Sequence, residues 1–177
     1  SMSVYESLLP TDRAATQGEL QALAEQYFSP SAEYTGLYAS MSNTQIVDQL
    51  YQNIFGRAAE VAGLVYWAAE LTAGRQTVAS LALQLSFSAQ GTDAAVVTNR
   101  IAAANSFTTG LDTTTEITGY SGDAAAASAR AWLATVGSDA ATKDTAIAGV
   151  GTAISDAVAA SSTDASQTFT LTTGIDT

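Results

Sequence analysis

Between Ser42 and Gly56 the chain spells out one complete helix. Ser42-x-x-Gln45 has capping-box spacing, in which a hydroxyl and a carboxamide each satisfy a free backbone N–H at a helix start. Ile46, Val47, Leu50, Tyr51, Ile54 and Phe55 then recur at helical steps, and Gly56 supplies a stop. The pattern predicts a helix over 43–55. A chain that repeats it must bury one apolar stripe against another, which makes a helical bundle the expected architecture.

The pattern does repeat. Thr16-x-x-Glu19 precedes Leu20, Leu23, Ala24 and Tyr27, predicting a helix over 17–28 that ends before Pro30. A third helix runs through Leu64, Trp67 and Leu71 to Gly74. A fourth runs through Val78, Leu81 and Leu85, with Leu83 and Phe87 less regular, and stops before Gly91. Both are expected to pack on the second. Thr92 is placed to cap a fifth helix carrying Val96, Val97, Arg100, Ile101 and Ala104, whose pattern fades over Asn105–Gly110.

Beyond this, Leu111–Thr118 allows one helical turn. Gly119 and Gly122 bracket Tyr120 and open an alanine-rich helix from Asp123 to Val136, anchored by Trp132 and Leu133. Ser138 or Asp139 begins a single long helix to about 160 through Ile147, Val150, Ile154 and Val158, weakened by Gly149 and Gly151. Ser161–Ser166 reads as a linker, and Phe169, Leu171 and Thr173 alternate as in a strand. The fold class is therefore all-α, a multi-helix bundle with a short C-terminal β-strand or extended tail. The expected divisions are a helical domain at 1–110, a helical part at 111–160 packed on it, and a linker with the start of a β-rich region at 161–177. Ser1 ahead of Met2, and a terminal strand that stops mid-course, point to a piece of a longer protein.

Composition narrows the chemistry. The 177 residues contain no cysteine and no histidine, which removes thiol nucleophiles, the usual zinc sites, Ser-His-Asp triads and imidazole acid–base catalysis. Six Lys+Arg against 17 Asp+Glu give a net charge of −11, which opposes nucleic-acid binding. No apolar run approaches the roughly 20 residues that span a bilayer, so no membrane insertion is expected. Asp and Glu are the plausible catalytic groups left, which keeps open an enzyme such as a two-carboxylate glycosidase, and no pair of acids stands out for it. The chain is expected not to be an enzyme.

The most specific stretch is Phe55-Gly56-Arg57-Ala58-Ala59-Glu60-Val61-Ala62-Gly63-Leu64-Val65-Tyr66-Trp67, with Tyr51 before it and Leu71 and Gly74 after. As a structural turn, Gly56 takes a positive φ, Arg57 bonds the last helix carbonyls and pairs with Glu60, Gly63 lets two helices approach, and Tyr66 and Trp67 enter the core. One carboxylate in the loop is too few for a calcium loop of the EF-hand kind. The stretch resembles the signature Y-x-x-x-[LF]-G-R-x-P-D-x-x-G-L-x-Y-W-x-x-x-L-x-x-G of a bacterial domain of unknown function, number 4214 in its series, over roughly 43–107. Ala59 stands where that pattern has proline, and Glu60 where it has aspartate.

That domain occurs in surface-layer proteins and calcium-binding repeat (RTX-type) exoproteins. The run from Asn105 to Asp123, the Ala131–Ala134 helix and the terminal Phe169–Asp176 are similar to the segments that follow it there. The resemblance implies an N-terminal region that attaches an extracellular lattice to lipopolysaccharide or another surface polysaccharide, in a protein exported by type I secretion. Lipopolysaccharide phosphates repel an acidic chain unless Ca²⁺ bridges them, so calcium at a glycan interface is the one cofactor considered, and the sequence nominates no metal ligands. The candidate glycan contacts are the aromatics hardest to place in a helix core, Tyr34, Tyr38 and Tyr120, with Asn105, Asp112 and Asp123 nearby in sequence. The alternative is a structural or oligomerising spacer that contacts neighbouring copies through alanine-rich helices and binds no glycan.

Overall fold

The computed structural model describes residues 15–28 and 36–167, and no strand occurs among them. The predicted tail at Phe169–Thr173 and the candidate Tyr34 lie outside the described residues. The helices are α1 Gln17–Leu23, continued by a π-helical turn Ala24–Phe28, then α2 Asn43–Phe55, α3 Val61–Thr72, α4 Val78–Ser88 and α5 Gly91–Gly110. They are followed by α6 Thr114–Gly119, α7 Gly122–Ala134, α8 Ala140–Ala148 and α9 Val150–Gln167.

Local chemistry explains most starts. Thr16, Ser42, Thr77 and Thr113 each close a capping box with Glu19, Gln45, Ser80 and Glu116, and Asp139 caps α8 by accepting from Ala141 N–H at 3.0 Å. Gly56 ends α2 in the left-handed region (φ 72°), and its N–H reaches the Gln52 carbonyl at 3.0 Å.

The chain forms two compact units, Ser1–Ala94 and Ala95–Thr177, dividing inside α5 and not at 110. In the first, α2 packs on α3 and α4, and α1 packs on α4. Val47, Leu50, Tyr51 and Phe55 of α2 and Leu81 and Leu85 of α4 are buried, with Leu81 and Val47 fully enclosed. Phe87, off the regular stripe, is half exposed. Asn43 Nδ2 donates to Thr72 Oγ1 at 2.8 Å, tying the start of α2 to the end of α3.

In the second unit α9 packs along α7 and against α6. Phe107, Ala153, Ile154 and Ala157 form one buried cluster with Tyr120 and Trp132 against it, and Ala103, Val136 and Ala146 form another. Ala125 of α7 and Ala153 and Ala157 of α9 are buried inside the unit, where their small size lets the two helices approach closely, and Ala146 is buried on α8.

Three local expectations change. Thr92 lies within α5, not at its cap, and α5 continues through Asn105–Gly110, because Val96, Arg100, Ala103 and Phe107 extend one buried stripe across that polar stretch. The single helix expected to about 160 is two: Gly149 N–H is shared between the Thr145 and Ala146 carbonyls at 3.1 Å, and its ψ of 8° ends α8. Ser161–Ser166, read as a linker, belongs to α9, because a running helix gains one hydrogen bond for each residue it adds.

Candidate functional site

The motif forms a locked turn between α2 and α3. Arg57 Nη1 pairs with Glu60 Oε1 at 2.5 Å, as the spacing suggests. The same guanidinium also makes a two-pronged contact with Asp93 in the first turn of α5, Nε to Oδ1 at 2.9 Å and Nη2 to Oδ2 at 2.6 Å. It lies over the Tyr51 and Phe55 rings, 5.3 and 5.6 Å from their centroids. The Asp93 hydrogen bonds hold Arg57 above its usual pKa, with Glu60 adding to the effect. Arg57 bonds the Ala58 carbonyl at 3.1 Å, not the last carbonyls of α2, because Asp93 and Glu60 draw the guanidinium forward past the helix end.

Gly63 does allow a close approach, since a Cβ there would stand 3.0 Å from the Tyr51 hydroxyl. That hydroxyl takes a hydrogen bond from the Trp67 side chain, and burial raises the phenol's pKa. Tyr66 is not in the core: it is 56% exposed and touches Trp67 edge-on at 4.7 Å. Helical phase explains this, because Ala68 points inward on α3 and Tyr66 lies on the opposite side. Ala59, where the related pattern has proline, uses the N–H that proline lacks to donate to Asp48 at 2.9 Å. Glu60, at the N-cap of α3, makes no side-chain cap and turns to Arg57 instead.

Sequence reasoning missed Asp93 and Asp48, which lie 36 and 11 residues from their partners and share no local pattern with them. The two-pronged geometry gives a specific expectation. Arg57→Lys removes the parallel bonds and the ring stacking together, and should lower the unfolding free energy of the first unit by about 1 kcal/mol in urea titrations. A loss as small as that of an exposed Arg→Lys control would show that the Asp93 contact contributes nothing.

The predicted glycan contacts are divided between the two units. Tyr38 belongs to the first unit and lines an apolar groove with Leu20, Leu23, Leu50 and Val78. Asn105, Asp112, Tyr120 and Asp123 belong to the second. Tyr120 is half-buried and packs edge-on against Phe107 at 5.5 Å, so its ring is engaged in the core. Asn105, Asp112 and Asp123 are exposed. Among the described residues no three carboxylates converge as a metal site would require.

What the second unit does hold is an open groove of about 620 Å³ beside Trp132, at the junction of α7, α8 and α9. The indole lines the groove while also packing on Phe107, with ring centroids 5.4 Å apart. Thr142, Thr145, Gly149, Thr152 and Asp156 line it at steps of three and four along α8 and α9. The groove opens where α8 stops at Gly149. The sequence signal was Trp132 on an otherwise small-residue helix, which reads equally well as a core anchor, and the residue serves both purposes.

Residues 24–92 match the family described as a domain of unknown function (DUF4214). The DUF4214 match begins and ends earlier than the 43–107 span of the motif resemblance, and it lies within the first compact unit. It contains Arg57, Glu60 and Asp48, stops one residue short of Asp93, and contains none of the Trp132 groove. No curated protein and no solved structure matches the chain.

Proposed function

We propose that this chain is a non-catalytic attachment module of an exported surface-layer-type protein, holding it at the cell surface by binding lipopolysaccharide or another surface polysaccharide. The Trp132 groove is the observation that supports this reading most. An indole, half-buried against Phe107, that lines an open concave surface beside hydroxyls and a carboxylate suits the chemistry that sugar recognition uses. The Arg57 turn then serves as a structural lock within the DUF4214 segment, not as a binding site.

The test is calorimetric or sedimentation binding of the protein to lipopolysaccharide and delipidated polysaccharide from the cells that make it, with and without Ca²⁺. Saturable binding that weakens at least tenfold in Trp132→Phe is expected. No binding of either material under either condition overturns the reading.

A second reading has one observation in its favour. On α3 the side chains of Val61, Val65 and Tyr66 are more than half exposed and form an uncharged face, which suits a spacer that meets neighbouring copies in an extracellular lattice. Concentration-dependent self-association without glycan affinity would select it.

A further inference from the structure

The polarity of the groove specifies its ligand more closely than the attachment reading does, although the inference rests on that reading. Three of the four lining threonine hydroxyls, those of Thr135, Thr142 and Thr145, donate their protons to the backbone. Thr142 Oγ1 donates to the Asp139 carbonyl at 2.7 Å, and Thr145 Oγ1 donates to the Ala141 carbonyl at 2.8 Å. Thr142 Oγ1 also accepts from the Gly137 N–H at 3.0 Å, so Thr135 and Thr145 are the hydroxyls left to offer the groove lone pairs. Asp156, when ionised, also only accepts. No Lys or Arg lines the groove. A phosphate or carboxylate entering it would meet Asp156 with no cation to offset the repulsion, whereas a ring bearing several hydroxyls would find acceptors for its donors.

The shape adds a second constraint. Thr142 and Thr145 on α8, Gly149 at the break, and Thr152 and Asp156 on α9 line it in turn, so the groove extends over about two turns of each helix, longer than a single sugar ring. We propose that the groove takes an uncharged, linear stretch of polysaccharide, with one ring stacked on the Trp132 indole and hydroxyls of neighbouring rings donating to Thr145 and Asp156. Binding through this groove needs no calcium.

Gly149 provides a clean perturbation. Its φ of −93° suits any L-residue, and a Cβ built there meets only the Thr145 and Ala146 carbonyl oxygens, at 3.5 and 3.8 Å. Gly149 lines the groove and has room for a Cβ, so Gly149→Leu adds bulk at its wall, and Asp156→Asn removes the charge at constant shape. The probe is delipidated polysaccharide from the producing cells, split by anion exchange into neutral and phosphate- or uronate-bearing fractions. Trp132 fluorescence is followed in a Trp67→Phe background.

The neutral fraction should saturate the signal equally with Ca²⁺ or with chelator. Gly149→Leu and Asp156→Asn should each weaken it at least tenfold while circular dichroism and the unfolding midpoint hold. Binding of the charged fraction alone, or a strict Ca²⁺ requirement, would overturn the neutral-ligand proposal and leave the attachment reading standing. Neutral binding untouched by both variants would overturn the groove as its site. Binding of neither fraction would remove both readings.

Discussion

Arg100→Met should cost the second unit about 3 kcal/mol, one of the two largest single-site losses expected in this protein. Arg100 occupies a core position on α5, where only 7% of its surface is exposed. Its Nε donates to the Val136 carbonyl at 2.9 Å and its Nη2 to the Ala134 carbonyl at 3.3 Å, while the neighbouring Asn99 Nδ2 donates to the Gly137 carbonyl at 2.9 Å. The Ala134 carbonyl is one that α7 leaves unsatisfied at its C-terminus, where the dipole is negative, and the Val136 and Gly137 carbonyls follow in the turn beyond it. Burial lowers the guanidinium pKa, yet an arginine stays charged at any pH the fold survives. Methionine fills much of the same space and leaves those oxygens without their donors. Arg100→Lys should recover only part of the loss, because a single ammonium cannot span two carbonyls as a planar fork does. Urea unfolding followed by Trp132 fluorescence in a Trp67→Phe background reads the effect. A change below 1 kcal/mol for Arg100→Met would show that water replaces the guanidinium freely and that the tie is incidental.

Leu81→Ala is the corresponding expectation for the first unit. Leu81 has no exposed surface and stands where α4 packs on α2, so truncation removes buried methyl groups and leaves a cavity that rigid neighbours cannot fill. A loss of about 3 kcal/mol is expected, followed by Trp67 fluorescence in a Trp132→Phe background. Phe87→Ala on the same helix is the control. It removes a larger side chain, but one that is 53% exposed, and should cost under about 1 kcal/mol. Equal losses at the two positions would contradict the facing of α4.

These residues also mark what the sequence made legible. The α2 boundaries could be read to the residue because the cap, the stripe and the glycine stop all lie within one local window. Arg100 is written into the Val96–Arg100 stripe, where a cation at a core position signals a buried partner, but nothing local says that the partner is the end of a helix 34 residues on. The Asp93 side of the Arg57 lock is hidden for the same reason. The course of α5 past Asn105 was obscured by weak helix formers, although Phe107 kept the phase, and the break at Gly149 was underweighted because the apolar spacing runs across it. The groove was illegible because its residues are ordinary one by one, and only the folded arrangement of α7, α8 and α9 brings the threonines and Asp156 beside Trp132.

The four reciprocal caps have a kinetic consequence. Each is complete within four residues, so the costly first turn of α1, α2, α4 and α6 gains its stabilising contacts before any distant segment has to be found. Nucleation is thereby spread along the chain, and the slow steps that remain are the docking of α2 against α4 and of α7 against α9. Stabilising a cap should accelerate folding only to the extent that its helix is already formed when those docking steps occur, while substitutions at the docked faces should be felt chiefly in how fast the protein comes apart.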